Sequence, residues 1–256
     1  MPVSISKRVM ALEPSATLAM AAKAKELKAA GKTVYDFSVG EPDFATPEHI
    51  CQAARTAMQA GHTHYTVASG IPELKAAVAK QYQAQHGLKY AANQVVISNG
   101  AKHSLHNLFT ALCDPGDEVI IPAPYWVSYA ELVKLTGAKP VIVPTLEAED
   151  FKLSPAALRQ AITPRTTMLL ICSPSNPTGS VYSPAELAAL ADVVLEKNLL
   201  AVSDEIYERL VYGQNKFASF ATVRPGMQER TILVNGVSKA YAMTGWRIGW
   251  TLSPAN

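Results

Sequence analysis

The sequence lacks the features that mark secreted, membrane-spanning and nucleic-acid-binding proteins. Its three cysteines, Cys51, Cys113 and Cys172, are far apart and form no C-x-x-C pair, so neither a disulfide framework nor a thiolate metal site is predicted. No apolar run approaches the roughly 20 residues that span a bilayer, and MPVSISKRVM is not a secretory signal. The net charge is only +2 and basic residues are dispersed, which argues against a nucleic-acid or membrane footprint. These absences predict a soluble protein of the reducing cytoplasm.

What the sequence does contain is a series of short, β-branched runs that alternate with helical segments. Helices are predicted over 15–30, 47–59 and 71–86, and later ones begin at the Ser-Pro pairs of SPAALRQAI and SPAELAALADVVLEKN. The seven runs are almost uniformly apolar, as in strands buried on both faces; they are 94–98, 118–122, 140–144, 166–171, 199–203, 231–235 and 247–253. This alternation predicts an α/β fold with a mostly parallel seven-stranded sheet and helices on both faces. We place this large domain at 46–256 and interpret 1–45 as an arm and the N-terminal part of a small domain.

Polar, aromatic and glycine-containing segments follow most of these strands, and ligands of open α/β sheets bind at the carboxyl ends of strands. The exception is 140–144, which is followed only by TLEAED and is therefore predicted to be an outer strand. After the first strand, the backbone N–H groups of Gly100, Ala101 and Lys102 would face an anion such as phosphate. An ordinary strand–helix turn explains the same residues, and no P-loop or Rossmann pattern is present.

Two residues at this edge suggest chemistry. Lys239 follows a strand among apolar neighbours, and desolvation there would lower the pKa of its amine and favour a Schiff base. Asp204 ends the fifth strand and is followed by Tyr207. The carboxylate could hold a proton on a pyridine ring, or could merely cap a helix while Tyr207 packs in the core.

Three further side chains are each ambiguous alone. Arg247, predicted to lie on the last strand, needs an anionic partner, which a structural carboxylate or a phosphate would provide. Trp126 could belong to the core or could stack on an aromatic ring. Asn176 lies in PSNPTG, which is a turn in any fold, at the end of the fourth strand.

Several strings then carry a family resemblance: Ser15-Ala16-Thr17, VGEPDFATPEH (39–49), YTVASGIPELK (65–75), NPTG (176–179), SDEIYE (203–208) and SKAYAMTGWRIG (238–249). Together they resemble the class I aminotransferases that depend on pyridoxal 5′-phosphate (PLP), and most of all their bacterial aspartate aminotransferase branch. The resemblance runs from about residue 5 to the end of the chain. It implies the large domain of PLP fold type I and a homodimer that exchanges amino groups between L-aspartate and 2-oxoglutarate.

The resemblance also implies roles for the residues at the sheet edge. Lys239 would bind PLP as a Schiff base and then act as general base and acid. Asp204 would pair with the ring nitrogen, while Tyr207 and Asn176 would hydrogen-bond the phenolate oxygen. Trp126 would stack on the ring. The phosphate would be bound by Arg247 and by the backbone of Gly100, Ala101 and Lys102.

Substrate contacts are implied by resemblance as well. Gly40, Trp126 and Asn176 would contact the amino acid, and Lys102 is associated with its distal carboxylate. The segment of Ser15 and Thr17 would lie over that site, and Tyr65 would reach the phosphate in the neighbouring subunit.

One departure from the family pattern leaves alternatives open. The sequence stops at Asn256, without the small-domain arginine that the resemblance implies for binding the substrate α-carboxylate. We expect either a fragment of a longer enzyme or a truncated product that is poor at catalysis. The alternatives are an aminotransferase for an aromatic, alanine or prephenate substrate, a lyase of the same fold, and a non-catalytic PLP-binding fragment. The histidine pairs 62/64 and 103/106 lack carboxylates at ligand spacing, so no metal site is predicted.

Overall fold

The computed structural model describes residues 4–255, so the chain end at Asn256 lies outside the described residues. The α-helices in this range are α1 Lys7–Met10, α2 Ala16–Ala29, α3 Glu48–Gln59, α4 Pro72–His86, α5 Ala101–Leu112, α6 Ser128–Thr136, α7 Pro155–Ala161 and α8 Pro184–Glu196. The strands are β1 Val95–Ser98, β2 Glu118–Ala123, β3 Lys139–Pro144, β4 Thr166–Cys172, β5 Leu200–Asp204, β6 Thr231–Gly236 and β7 Gly249–Leu252. Among residues 4–255, no helix is long and apolar enough to cross a membrane.

The strands form one mixed sheet in the order β1-β7-β6-β5-β4-β2-β3. Strands β2 to β6 pair in parallel, whereas β7 runs antiparallel to both of its neighbours, β1 and β6. The predicted α/β fold with a mostly parallel seven-stranded sheet is therefore confirmed. Strand β3 lies at the edge of the sheet, as its polar continuation predicted.

Helices cover both faces of the sheet because successive strand residues point in opposite directions and both sets are apolar. On β2, Val119 and Ile121 pack with α5 and α6, whereas Ile120 between them packs with α7 and α8. Toward the β1 end, Trp250 of β7 packs with α4. Each such buried side chain contributes about 1.5–3 kcal/mol of transfer free energy, and this two-sided core fixes the sheet edge that carries the site.

The predicted helix starts follow from capping chemistry. Ser183 accepts a hydrogen bond from the backbone N–H of Glu186 at 3.3 Å, and the Glu186 carboxylate accepts one from the Ser183 N–H at 2.6 Å. Ser154 caps α7 through a single hydrogen bond, which its hydroxyl oxygen accepts from the N–H of Ala157. Helices α1 and α6 had no counterpart in the sequence prediction.

Candidate active site

The carboxyl ends of the adjacent parallel strands β5 and β6 place Asp204 and the loop of Lys239 at the same edge of the sheet. The Lys239 amine donates a hydrogen bond to the Gly40 carbonyl and lies 5.9 Å from the centre of the Tyr207 ring. Burial lowers the pKa of Lys239; the carboxylate of Glu41 opposes this, and the positive charge of Arg247 adds to it. A lysine in this position has a larger fraction of neutral, nucleophilic amine than a solvated one.

Asp204 is almost entirely buried, with 3% of its surface exposed. One carboxyl oxygen, Oδ2, accepts a hydrogen bond from the Tyr129 hydroxyl at 2.7 Å, and Oδ1 accepts one from the Ile206 N–H at 3.2 Å. Burial raises the pKa of Asp204 to about 6, while both hydrogen bonds favour the ionised form. The carboxyl group is thus partnered on each oxygen and mostly charged at neutral pH.

Asn176 and Tyr207, which lie beyond the ends of β4 and β5, meet each other. The Asn176 amide Nδ2 donates to the Tyr207 hydroxyl oxygen at 3.3 Å. Burial raises the pKa of Tyr207 to about 12, so this side chain is a neutral phenol near pH 7. The pair therefore offers hydrogen-bond donors beside Lys239.

The turn after β1 is built around glycine. Gly100 has a φ of +86°, and a Cβ placed on it would lie 2.2 Å from Nη2 of Arg247, so the guanidinium rests directly on the turn backbone. A Cβ on Gly249 would likewise lie 2.4 Å from the backbone nitrogen of Ala101. Ala101 and Lys102 open α5, where the first N–H groups have no partner within the helix. Only glycine permits this approach of cation and helix N-terminus.

The position of Arg247 corrects one prediction. It does not lie on the last strand, because β7 begins only at Gly249, and Arg247 has left-handed backbone angles (φ 56°, ψ 54°) that cannot continue a β-ladder. Its side chain is exposed. Within residues 4–255, its hydrogen bonds go to the backbone carbonyls of Thr244 (2.7 Å) and Asn99 (3.5 Å) rather than to a carboxylate.

Lys102 and Trp126 lie together beside this turn. The Lys102 amine is 4.9 Å from the centre of the Trp126 ring, and burial together with the Arg247 charge lowers its pKa. The Trp126 ring also meets the Tyr129 ring edge to face, with 5.4 Å between centres and 88° between planes. An aromatic plane and two cations thus lie along one side of the site.

The N-terminal segments are only partly brought to this site. Gly40 contacts Lys239, whereas Ser15 is exposed and caps α2 through the N–H of Leu18 at 3.4 Å. Thr17 lies in the first turn of that helix, and Tyr65 is fully exposed. Nothing within residues 4–255 places Ser15, Thr17 or Tyr65 against Lys239, so their roles stay predictions, as does the domain division at residue 45.

Sequence reasoning missed Tyr129, the hydrogen-bond donor to Asp204. It also missed the contact of the 40–46 segment with the Lys239 loop, in which Thr46 Oγ1 donates to the Ala242 carbonyl at 2.6 Å. Helical spacing within α6 could have indicated that Tyr129 faces the sheet, but not which side chain it meets.

These residues fit a flat, phosphorylated aromatic group. The exposed guanidinium and the free helix N-terminus suit a phosphate, and the buried carboxylate suits a protonated ring nitrogen. Near the turn, the hydroxyl oxygens of Ser98 and Ser104 are buried and have no hydrogen-bond partner among residues 4–255.

The fold and this site together define the class of protein to which the chain belongs. The solved aspartate aminotransferase from Thermus thermophilus with maleate superposes with a TM-score of 0.94 at 47% identity, covering 99% of this chain and 65% of that one. The chain therefore has the α/β architecture of PLP fold type I. The sequence profile of the family "Aminotransferase class I and II" matches residues 32–256, and the chain belongs to this family, whose members use pyridoxal phosphate.

Curated relatives agree with this assignment. Aspartate aminotransferase from Geobacillus stearothermophilus is 53% identical over 252 residues, which cover 98% of this chain and 64% of that protein. Aspartate/prephenate aminotransferase from Cereibacter sphaeroides is 48% identical over 251 residues, covering 98% and 63%. This chain thus spans a little under two thirds of the length of these relatives.

Proposed function

We propose that this protein is a PLP-dependent aminotransferase that moves an amino group between L-aspartate and 2-oxoglutarate. The observation that carries the proposal is the half-buried Lys239 amine beyond the carboxyl end of β6, at the same sheet edge as the buried carboxylate that ends the adjacent strand β5. A desolvated amine and a buried carboxylate at one sheet edge are the two groups that amino-transfer chemistry on a pyridine ring requires.

In this proposal, Lys239 is the catalytic residue. PLP, when bound, supplies an aldehyde that the amine can bond and a ring that withdraws electrons from the substrate α-carbon. The lowered pKa of Lys239 makes its neutral amine available both for that bond and for taking and returning the proton of the α-carbon. The Gly40 carbonyl and the Tyr207 ring hold the amine in place.

The other site residues would hold the cofactor. Asp204 would keep a proton on the ring nitrogen, and Asn176 with Tyr207 would donate hydrogen bonds to the phenolate oxygen. Trp126 would pack on the ring face. Arg247 and the N–H groups of Gly100, Ala101 and Lys102 would bind the phosphate, supported by the guanidinium that rests on the Gly100 backbone.

A dicarboxylic substrate is favoured by a second cation close to the site. Lys102 lies over Trp126, and its positive charge is available to a distal carboxylate of aspartate or 2-oxoglutarate. The similar Thermus thermophilus enzyme was solved with maleate, which is also a dicarboxylate. Gly40, Trp126 and Asn176 would complete the substrate contacts, with Ser15 and Thr17 above them.

The proposal extends to assembly. Full exposure of the Tyr65 ring supports a homodimer in which this residue reaches the phosphate of the partner subunit. Residues 1–45 would form an arm and part of a small domain, residues 46–256 the large domain, and the enzyme would act in the cytoplasm.

The test is an amino-transfer assay with PLP, L-aspartate and 2-oxoglutarate. We expect the wild-type protein to form oxaloacetate and Lys239→Ala to lose at least about 10³-fold in rate, as for loss of a general base and nucleophile. Lys197→Ala, at an exposed lysine beyond α8, is the control and should keep wild-type turnover. Full activity of Lys239→Ala, or no oxaloacetate from the wild type, would contradict the proposal.

Prephenate is a second candidate acceptor, because the Cereibacter sphaeroides relative is named for both substrates. The two candidate acceptors are distinguished by measuring amino-transfer rates. The donor is glutamate or aspartate, and the acceptor is prephenate, oxaloacetate or 2-oxoglutarate. A kcat/KM for prephenate that equals or exceeds the value for 2-oxoglutarate would favour the second candidate.

A further inference from the structure

Tyr129 joins two of the groups that the proposed function assigns to the cofactor. It lies in the first turn of α6, is 3% exposed, and donates its hydroxyl to Asp204 Oδ2 at 2.7 Å. Its ring meets Trp126 edge to face, and its backbone N–H donates to the Trp126 carbonyl at 2.9 Å. One buried side chain therefore fixes both the indole and the carboxylate.

The direction of the hydrogen bond is set by burial. Burial raises the pKa of Tyr129 well above its ordinary value, so the phenol keeps its proton and must be the donor. Asp204 then has one donor on each oxygen, from Tyr129 and from the Ile206 N–H. A carboxylate that accepts hydrogen bonds is favoured over the neutral acid, against the burial that favours the neutral form.

We propose that Tyr129 is a positioning residue that orients Asp204 and keeps it ionised toward the ring nitrogen of the cofactor. This inference rests on the proposed function, since it assumes that Asp204 faces that nitrogen. Removing the hydroxyl would leave one carboxylate oxygen buried without a donor, and a neutral carboxyl group cannot hold a proton on the ring by charge.

Other titratable groups around Asp204 do not compete in this role near neutral pH. Cys172 of β4 is next to Asp204 and Tyr129, and burial raises the pKa of its thiol. Tyr207, beyond β5, has a pKa of about 12. Glu205 bonds the hydroxyls of Ser203 and Ser219 instead, and burial raises its pKa to about 8, above the range of pH 5 to 7 in which wild type and Tyr129→Phe are compared.

The test uses Tyr129→Phe and two cofactors, PLP and the analogue with carbon in place of the ring nitrogen. Affinity is measured by quenching of protein fluorescence, which does not depend on turnover. We expect Tyr129→Phe to bind PLP about tenfold more weakly, the effect of one hydrogen bond to a charged group, and the analogue as well as wild type does. The pH at which PLP affinity falls should move up by about one unit.

Two controls keep the test decisive. Tyr182→Phe removes another buried hydroxyl, which accepts from the Leu153 N–H at 2.7 Å, and should leave both affinities unchanged. If Tyr129→Phe does not fold, the substitution is repeated in a protein that already carries Asp204→Asn. That protein lacks the buried charge that Tyr129→Phe would leave without a hydrogen-bond donor. Adding Tyr129→Phe to that background should then change PLP affinity less than twofold, because the two side chains act as one unit.

Equal loss for PLP and the analogue would show a merely structural role, and no loss for either would show no role; both overturn the inference. A wild-type protein that binds PLP and transfers amino groups while Tyr129→Phe behaves identically refutes this inference alone. A wild-type protein that binds no PLP refutes the proposed function with it.

Discussion

Glu205 offers a quantitative test of how burial and charge are balanced beside the site. Its side chain is 1% exposed, and Oε1 accepts hydrogen bonds from Ser203, Ser219 and the Phe220 N–H. Burial raises its pKa from 4.5 to about 8; the Ser219 hydroxyl opposes this shift and the nearby Glu208 adds to it. The folded protein therefore holds this proton up to about pH 8, whereas the unfolded chain releases it above 4.5.

The raised pKa of Glu205 makes the protein less stable as the pH rises. Because the unfolded chain binds fewer protons between pH 4.5 and 8, Glu205 lowers the free energy of unfolding as the pH rises through that window. Each pH unit in this window lowers the free energy of unfolding by about 1.4 kcal/mol, so the decrease between pH 5 and pH 7 is about 3 kcal/mol. Glu205→Gln keeps the acceptor oxygen but has no proton to lose, and should lack this fall.

The assay is urea unfolding of wild type and Glu205→Gln at pH 5, 6 and 7. The difference in free energy of unfolding between variant and wild type should grow by about 3 kcal/mol toward pH 7, because other titrations cancel between the two proteins. Glu147→Gln, at an exposed position, is the control and should run parallel to wild type. A Glu205→Gln curve parallel to wild type would refute the reasoning.

Two further predictions concern the phosphate end of the site. Gly100→Ala should lower the free energy of unfolding by about 1–3 kcal/mol, because alanine is strained at this positive φ. Its Cβ would also displace the Arg247 guanidinium, so PLP binding measured by fluorescence titration should weaken at least about tenfold. The control Gly213→Ala, at a positive φ with open space around it, should leave PLP affinity unchanged. An unaltered affinity for Gly100→Ala would contradict the contact. Arg247→Lys keeps the positive charge but loses the planar set of N–H donors of the guanidinium, so PLP affinity should drop about tenfold. The control Arg55→Lys, at an exposed arginine, should not alter PLP affinity. Equal PLP affinities of Arg247→Lys and Arg55→Lys would argue against a phosphate at Arg247.

Much of the fold was predictable because its signals are local. All seven strands are short apolar runs, and Ser183 and Ser154 mark helix starts through hydrogen bonds within three residues. The placement of Lys239 and Asp204 at one edge follows from a general rule for parallel sheets, since each follows its strand directly.

The remaining features depend on contacts between distant parts of the chain. Arg247 has a left-handed backbone and its guanidinium lies on the distant turn at Gly100, whereas the apolar residues around it in the sequence indicated a strand. The Tyr129–Asp204 bond joins residues 75 positions apart across the packing of α6 on the sheet. No periodicity within either segment specifies such a pairing.

The most direct measurement of the central claim is the site of covalent attachment of PLP. The protein is incubated with PLP, reduced with sodium borohydride, digested and analysed by mass spectrometry. We predict one pyridoxyl group, on Lys239, and none on Lys102, whose pKa burial also lowers and which lies beside the same site. Labelling of Lys102 or of scattered surface lysines, with Lys239 unmodified, would contradict the account.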